Sequence, residues 1–269
     1  MEKLNNQIIG LITDFGARGQ HYVASMKGII LNINPKASII DIAHNITPFS
    51  IIEAAYIIKS TYSLYPKNTI FIIVVDPGVG SSREIIIIRT KSGYFFIGPN
   101  NGIFTNVFGS SEISKCIHIK NEQYFNTPVS NTFQGRDIMA PIGAYLSKGV
   151  DIDKFGSKFP IAKLINFPIE LKKISDNEIR CTIQYIDEFG NLITNIKGNS
   201  VIFKEDTEIG IRTREQKIRG NFVKFFEEVF VNSLLFIVGS SGFLEISKNQ
   251  GNAASDLGLK VGDIITVEL

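Results

Sequence analysis

An unbroken apolar run from Ile70 to Val75 constrains the fold more than any other segment of this chain. The run is too short to cross a membrane and too β-branched to favour a helix, so with Thr69 it predicts a strand. Because no polar residue interrupts the run, we expect this strand to be buried on both faces, as in an open α/β sheet. Asp76 follows at the carboxyl end, where such sheets bind ligands, and Arg83 lies just beyond a glycine-containing turn.

Strand and helix patterns alternate through the first part of the chain. This alternation is typical of a layered α/β domain with a central, mostly parallel sheet. Residues 84–89 and 94–97 are predicted to form a hairpin-like pair. The other predicted elements are strands at 8–13 and 37–42 and helices at 22–33, 50–64 and 137–148.

The pattern changes near residue 168. Between residues 155 and 170 the chain carries Pro160 and Pro168 and shows little periodicity, which indicates a loop and a domain boundary. We therefore expect an α/β domain at 1–168 and a smaller all-β, barrel-like domain at 169–269. Short strands are predicted in the second domain at 178–186, 192–196, 208–212, 234–238 and 264–268.

Composition narrows the functional class. A net charge of +2 over 269 residues argues against a dedicated nucleic-acid surface. Cys116 and Cys181 have no CxxC partner, so reduced thiols in a cytoplasmic protein are expected rather than a disulfide or a zinc site. Residues 1–6 are polar, unlike a secretory signal, and no apolar stretch reaches the roughly 20 residues of a membrane helix.

Polar clusters fall on predicted turns of the first domain. Asp14 follows the first strand, where a carboxylate can accept hydrogen bonds from a cis-diol or simply cap the next turn. His44 follows the second strand, and such a histidine is more often a structural hydrogen bonder than a catalyst. Phe133 and Gln134 lie in segment 132–137, whose acidic end can be a helix N-cap.

The second domain carries three further polar turns. Asp187 and Asn191 flank one bend, Ser240, Ser241 and Glu245 follow a glycine, and Asn252 and Ala254 follow another glycine. The chain lacks a GxGxxG dinucleotide fingerprint, a GxxxxGK[ST] phosphate loop and a GxSxG nucleophile elbow. The sequence therefore gives no support for a dinucleotide-binding enzyme, a phosphate-loop enzyme or a hydrolase with a serine nucleophile elbow.

In chain order, these clusters resemble the motifs of the S-adenosylmethionine (SAM) hydroxide adenosyltransferases, or SAM hydrolases, which share a fold with fluorinating and chlorinating enzymes. The resemblance covers nearly the whole chain. It implies hydrolysis of SAM to adenosine and L-methionine without cofactor or metal, in a homotrimer whose sites lie between domains of neighbouring subunits. The matching segments are Thr13-Asp14-Phe15-Gly16, Tyr22-Val23, Met26-Lys27-Gly28, Val75 to Gly80, Arg83, Asp187, Phe189-Gly190-Asn191 and Gly251-Asn252-Ala253-Ala254.

The resemblance also implies roles for individual residues. Asp76, Arg83 and the residue at 134 would activate water, and Asp14 would hold the ribose hydroxyls. The other implied substrate contacts are Asp187 and Asn191 to the methionine amino group, Ser240 or Ser241 to its carboxylate, Asn252 to Ala254 at the adenine, and Phe133 and Glu245 as further binding residues.

The residue types suit this chemistry. Attack of hydroxide on a sulfonium substrate joins opposite charges and releases a neutral thioether, so a dry pocket favours the reaction once hydroxide is present. Arg83 is always protonated and can stabilise the anion, while Asp76 can orient it or accept a proton. From the residues themselves, without the resemblance, a structural ion pair that holds the turn is favoured over a catalytic role for Asp76 and Arg83.

Three departures from the family pattern stand out. The hydrolases usually read TFHGRD where this chain has Gln134, and a carboxamide cannot take a proton at working pH. We expect hydrolysis to persist without a histidine limb near pH ~6.5. In residues 17–21 many members have an acidic residue before the tyrosine, and His21 is disfavoured as a replacement for the lost imidazole. Asn100 stands where the family usually has aspartate.

Two other functions stay open. Because Gln134 replaces the histidine, the first alternative is a protein that binds SAM or adenosine with little or no turnover. A halide-using adenosyl transferase is a weaker alternative, because the halogenating branch does not keep the pair formed here by Asp76 and Arg83.

Overall fold

The computed structural model describes residues 8–201, 207–213 and 216–269. The chain forms two compact units that divide between Phe167 and Pro168. Within the described ranges, no helix is long and apolar enough to cross a membrane.

The first unit is built on a mixed sheet. Its described strands lie in the order β2-β1-β3-β5-β4-β6-β7. The first four strands in this order, β2, β1, β3 and β5, are parallel. Strands β4, β6 and β7 then each run antiparallel to the strand before them. The bounds are β1 Ile8–Thr13, β2 Ser38–Ala43, β3 Ile70–Val74, β4 Ile85–Thr90, β5 Phe95–Pro99, β6 Ile113–Ile119 and β7 Gly156–Lys158.

Helices cover both faces of this sheet. On one face α1 (Gln20–Ile33) and α3 (Ala140–Ser147) pack on the cluster that contains Ile70, Ile72 and Val74. On the other face α2 (Ile51–Thr61) packs on the cluster that contains Phe71, Ile73 and Val75. Strand β3 is therefore buried on both faces, which confirms the interpretation of the apolar run.

The second unit is a closed β-barrel. Its described strands pair in the ring β9-β10-β14-β13-β12-β11-β15, which closes back on β9, and β8 joins β9 at one side. The short helix α4 (Ala253–Leu257) follows β14. The bounds are β8 Leu171–Lys173, β9 Glu178–Ile186, β10 Leu192–Lys197, β11 Glu208–Arg212, β12 Lys217–Phe222, β13 Leu234–Val238, β14 Phe243–Lys248 and β15 Ile264–Glu268.

The predicted fold class, an α/β domain followed by a small β-barrel, is confirmed. Strands β6, β7, β8, β12 and β14 were not predicted. Lysine, serine or histidine interrupts the apolar pattern in several of them, and β7 and β8 have only three residues each. The segment predicted to be a loop at 155–170 contains β7, and the helix predicted from residue 137 begins earlier, in a π-helical turn at Gly135–Met139.

Candidate active site

Asp76, Arg83 and Gln134 form one hydrogen-bonded group beyond the carboxyl end of β3. Arg83 Nε donates to Asp76 Oδ1 at 2.8 Å, and Arg83 Nη2 makes an ion pair with Asp76 Oδ2. The same Nη2 donates to Gln134 Oε1 at 2.5 Å. The side chains of Asp76 and Arg83 are only 4% and 9% exposed. The structure thus joins the three residues proposed for water activation in a nearly dry environment.

Glycine at position 80 lets the loop after β3 reach the segment that carries Gln134. Gly80 has a φ of +79°, and a Cβ there would lie 2.5 Å from the carbonyl oxygen of Asn131. Only glycine combines this backbone conformation with so close an approach. The Gly78 N–H donates to Asp76 Oδ1 at 3.2 Å, which fixes the carboxylate within the same turn.

Gln134 directly precedes the π-helical turn. At Gly135 a Cβ would lie 2.9 Å from Cγ1 of Val74, so glycine lets the backbone approach β3 closely. Because the Arg83 guanidinium only donates, it must face the Gln134 carboxamide oxygen, and the amide NH₂ is left as a donor. This side chain can hold a water but cannot accept its proton.

Asp14 follows β1 and lines a cavity together with Asp76 and Gln134. Its Oδ2 accepts a hydrogen bond from the Phe49 N–H at 2.8 Å. Phe49 has a φ of +71°, in the left-handed region that favours glycine, so its backbone is strained where it meets Asp14. Burial raises the pKa of Asp14, and the negative charge of Asp76 adds to this effect.

The cavity of the first unit has a volume of about 240 Å³ and is lined by Asp14, Asp76, Phe133 and Gln134, among other residues. Phe133 is held by aromatic contacts, with ring centroids 5.8 Å from Phe15 and 5.1 Å from Tyr22. The structure therefore brings together four residues that the sequence selected from three separate segments.

The second unit has its own cavity, of about 800 Å³. Its lining includes Asp187, Asn191, Ser240 and Glu245. Burial, followed by the charge of Asp187, raises the pKa of Glu245 to about 7. Four predicted binding residues therefore share one concave, partly apolar surface.

Three predicted binding residues of the second unit lie outside this lining. Asn252 caps α4, where its Oδ1 accepts the Ser255 N–H at 2.7 Å. Ala254 donates its N–H to the carbonyl of Gly190 at 2.9 Å. Ser241 is adjacent to the cavity-lining Ser240 but does not itself line the cavity.

The other singled-out polar residues of the first unit have structural contacts. His44 Nδ1 lies 2.9 Å from Thr13 Oγ1, and its Nε2 lies 3.0 Å from Asp41 Oδ1. Asn100 is buried and accepts the Ile165 N–H at 2.9 Å. His21 packs against Tyr22 with tilted rings whose centroids lie 4.0 Å apart, and it does not line the cavity that contains Gln134.

Sequence reasoning missed several cavity residues. Phe49 and Thr132 line the first cavity, and Phe226 and Lys248 line the second. A phenylalanine after a proline carries no signal for a positive φ, so the contact between Phe49 and Asp14 could not be foreseen. Within the described ranges, no group of three or more potential metal-ligating side chains gathers at one point.

Family models match both parts of this chain. The model of the SAM hydroxide adenosyltransferase N-terminal domain matches residues 9–156, and that of the C-terminal domain matches residues 181–266. A protein of Methanocaldococcus jannaschii named (R)-S-adenosyl-L-methionine hydrolase is 40% identical over 97% of this chain and 95% of its own length. A protein of Thermus thermophilus with the same name is 29% identical, covering 93% and 95%.

More distant relatives include a fluorinase of Actinoplanes, 24% identical over 97% of each chain. A crystal structure of an uncharacterised conserved protein from Thermotoga maritima superposes with a TM-score of 0.90 at 32% identity, covering 97% of this chain and 100% of that one. The chain belongs to the SAM hydroxide adenosyltransferase family.

Proposed function

We propose that this protein hydrolyses S-adenosyl-L-methionine to adenosine and L-methionine by attack of water or hydroxide at the ribose C5′ carbon. The observation that carries the proposal is the group formed by Asp76, Arg83 and Gln134 at a cavity that also holds Asp14. Because hydrolases similar to this chain are named for the (R) sulfonium epimer, we propose that epimer as the preferred substrate.

Arg83 and Asp76 would activate the water. The guanidinium stays protonated at every working pH and stabilises negative charge on the attacking oxygen, while the carboxylate orients the water or accepts its proton. Gln134 would position the water through its amide NH₂, since its oxygen is bound to Arg83. As hydroxide and sulfonium neutralise each other, a nearly dry site lowers the barrier.

The remaining predicted residues would bind substrate. Asp14 would accept hydrogen bonds from the ribose hydroxyls, with Phe133 packing beside the nucleoside. In the second unit, Asp187, Asn191, Ser240, Ser241 and Glu245 would hold the methionine half, and the segment from Asn252 to Ala254 would face the adenine. The reaction as proposed needs no metal or cofactor, so full activity in EDTA is expected.

We further propose a cytoplasmic homotrimer in which the cavity of the first unit of one subunit is completed by the second unit of its neighbour. Asp76 and Gln134, proposed for water activation, line one cavity, and four residues proposed for methionine binding line another, each in its own unit. Mixing Asp76→Ala with Asp187→Ala subunits tests this arrangement, because some interfaces of mixed trimers regain both residues. Light scattering should give three times the mass of one chain, and monomers would contradict the proposal.

A binding protein with little turnover is a second candidate, because Gln134 cannot act as a base. A halide-using transferase is a third, since fluorinases are among the relatives. Incubation with each sulfonium epimer, with and without chloride, separates the three by chromatography. Adenosine from the (R) epimer supports the proposal, bound but intact substrate supports the second candidate, and 5′-chloro-5′-deoxyadenosine supports the third.

A further inference from the structure

His44, the residue directly after β2, contacts the backbone loop that carries Asp14 on both sides of that residue. Its Nδ1 lies 2.9 Å from Thr13 Oγ1, and its carbonyl oxygen accepts the Gly16 N–H at 2.7 Å. Strands β1 and β2 are parallel neighbours, so their carboxyl ends meet here. His44 does not line the cavity that holds Asp14, so it acts on that cavity only through the loop.

The contacts of the His44 ring follow one direction. Nε2 lies 3.0 Å from Asp41 Oδ1, a charge contact without the geometry of a hydrogen bond, and the carboxylate favours a proton on that nitrogen. The neutral ring then accepts the Thr13 hydroxyl proton at Nδ1, while Thr13 Oγ1 accepts the Phe15 N–H at 3.4 Å. Thr13 is completely buried, so its hydroxyl cannot bond to bulk water instead.

Asp41 is anchored in turn to helix α1. Lys27 Nζ donates to Asp41 Oδ2 at 2.6 Å. Burial acts to raise the pKa of Asp41, but the neighbouring Lys27 and His44 outweigh it and hold that pKa below its ordinary value. The carboxylate therefore stays ionised and keeps the imidazole oriented. Lys27, Asp41, His44 and Thr13 thus form a support network that leads from α1 to the residue before Asp14.

The position of the Asp14 carboxylate depends on this support network. The side chain of an aspartate is short, so its oxygens follow the backbone, and the support network holds that backbone at Thr13 and Gly16. A carboxylate that accepts hydrogen bonds from a rigid cis-diol has to lie within about 0.5 Å of its productive position. A small displacement of the loop therefore weakens recognition of the diol while the carboxylate is still present.

We propose that His44, acting through Thr13, is a positioning residue that gives the nucleoside cavity its preference for an intact ribose. This inference rests on the proposed function, in which Asp14 binds the ribose hydroxyls, and it extends the preference to residues that do not touch the substrate. The compound that reveals it is the 2′-deoxy analogue of SAM, in which hydrogen replaces the ribose 2′-hydroxyl.

The test compares the two compounds by kcat/KM and by Kd from calorimetry. Wild type should prefer SAM by about tenfold or more, and Asp14→Ala should abolish the preference. His44→Ala and Thr13→Val should each lower the preference by about threefold or more, because they weaken SAM more than the analogue. His44→Asn should restore most of it, since a carboxamide oxygen can accept the Thr13 hydroxyl. His118→Ala, at another half-buried histidine, on β6, should leave the preference unchanged.

Equal losses for both compounds in His44→Ala and Thr13→Val would show that the support network only maintains the fold. An unchanged preference would show that Asp14 keeps its position without it, and a preference that survives Asp14→Ala would remove the basis of the inference. Thr13→Val keeps the shape of the side chain, so it carries the test if His44→Ala does not fold. A preference in Kd that falls in these variants, without adenosine from the wild type, would support the inference and overturn the proposed hydrolysis.

Discussion

The charged side chains of the two cavities differ in whether the protein pairs them. In the first, Asp76 and Arg83 neutralise each other, and Gln134 completes the group. In the second, Glu245 lies beside Asp187, and no hydrogen bond reaches its carboxyl group from the described residues. The difference teaches that a group which must keep a fixed geometry during a reaction is held by the protein, whereas a group that must attract a ligand is left for the ligand to satisfy.

Among the variants proposed here, Arg83→Met should have the largest effect on activity and stability, and it concerns the first cavity. It leaves Asp76 as a buried charge without its partner, so kcat should fall by about 10³ and the free energy of unfolding by roughly 3–5 kcal/mol. Adenosine formation and urea unfolding measure the two effects. Arg18→Met, at an exposed position, is the control and should change neither. Retention of more than a tenth of the activity in Arg83→Met would contradict the assigned role.

Gln134→His sharpens the contrast by adding a base to the first cavity. An imidazole with a pKa near ~6.5 accepts a proton only when neutral, so the rate should rise by about tenfold or more above that pH and fall below it. The wild type should show no such limb between pH 6 and 8. Initial rates across this range decide the matter, and a limb near 6.5 in the wild type would mean that another group serves as base.

Gly80→Ala tests whether the close approach of the loop after β3 to Asn131 keeps the hydrogen-bonded group of the first cavity in place. The substitution combines a positive φ with a contact of 2.5 Å to the carbonyl of Asn131, so it should destabilise by about 2–3 kcal/mol and reduce kcat. Gly149→Ala is a matched control, with a φ of +88° and no atom within 4 Å of the added Cβ. It should lose about 1 kcal/mol with kcat unchanged. Equal losses in both variants would remove the packing argument.

Glu245→Gln should have the smallest effect, and it concerns the second cavity. The pKa of Glu245 is about 7 in the folded protein against an ordinary 4.5, so between these pH values the folded state holds the proton more tightly. Stability should therefore fall as pH rises from about 4.5 to 7 and stay level above. Glu245→Gln should remove this fall and gain about 1 kcal/mol at pH 8, allowing for solvent screening. Denaturant midpoints at pH 5 and 8 provide the check, with Glu188→Gln as control.

The sequence predicted the strand β3 and the positions of Asp76 and Arg83 because an uninterrupted apolar run admits few structures. It did not predict β14, whose apolar residues alternate with Glu245 and Ser247 directly after a glycine-rich turn. Nor did it reveal that Asp187 is occupied by its own turn, since hydrogen bonds between residues two and four apart depend on φ and ψ. The roles of individual residues came from the family resemblance, and the geometry now ranks them for testing.

The central claim is that water bound by Asp76, Arg83 and Gln134 attacks C5′. Mass spectrometry of adenosine formed from (R)-S-adenosyl-L-methionine in ¹⁸O-labelled water tests it most directly. We predict one heavy oxygen in the adenosine 5′-hydroxyl, formed at equal rates by the wild type and Arg18→Met and about 10³-fold more slowly by Arg83→Met. Adenosine without the label, or equal labelled product from Arg83→Met, would contradict the account.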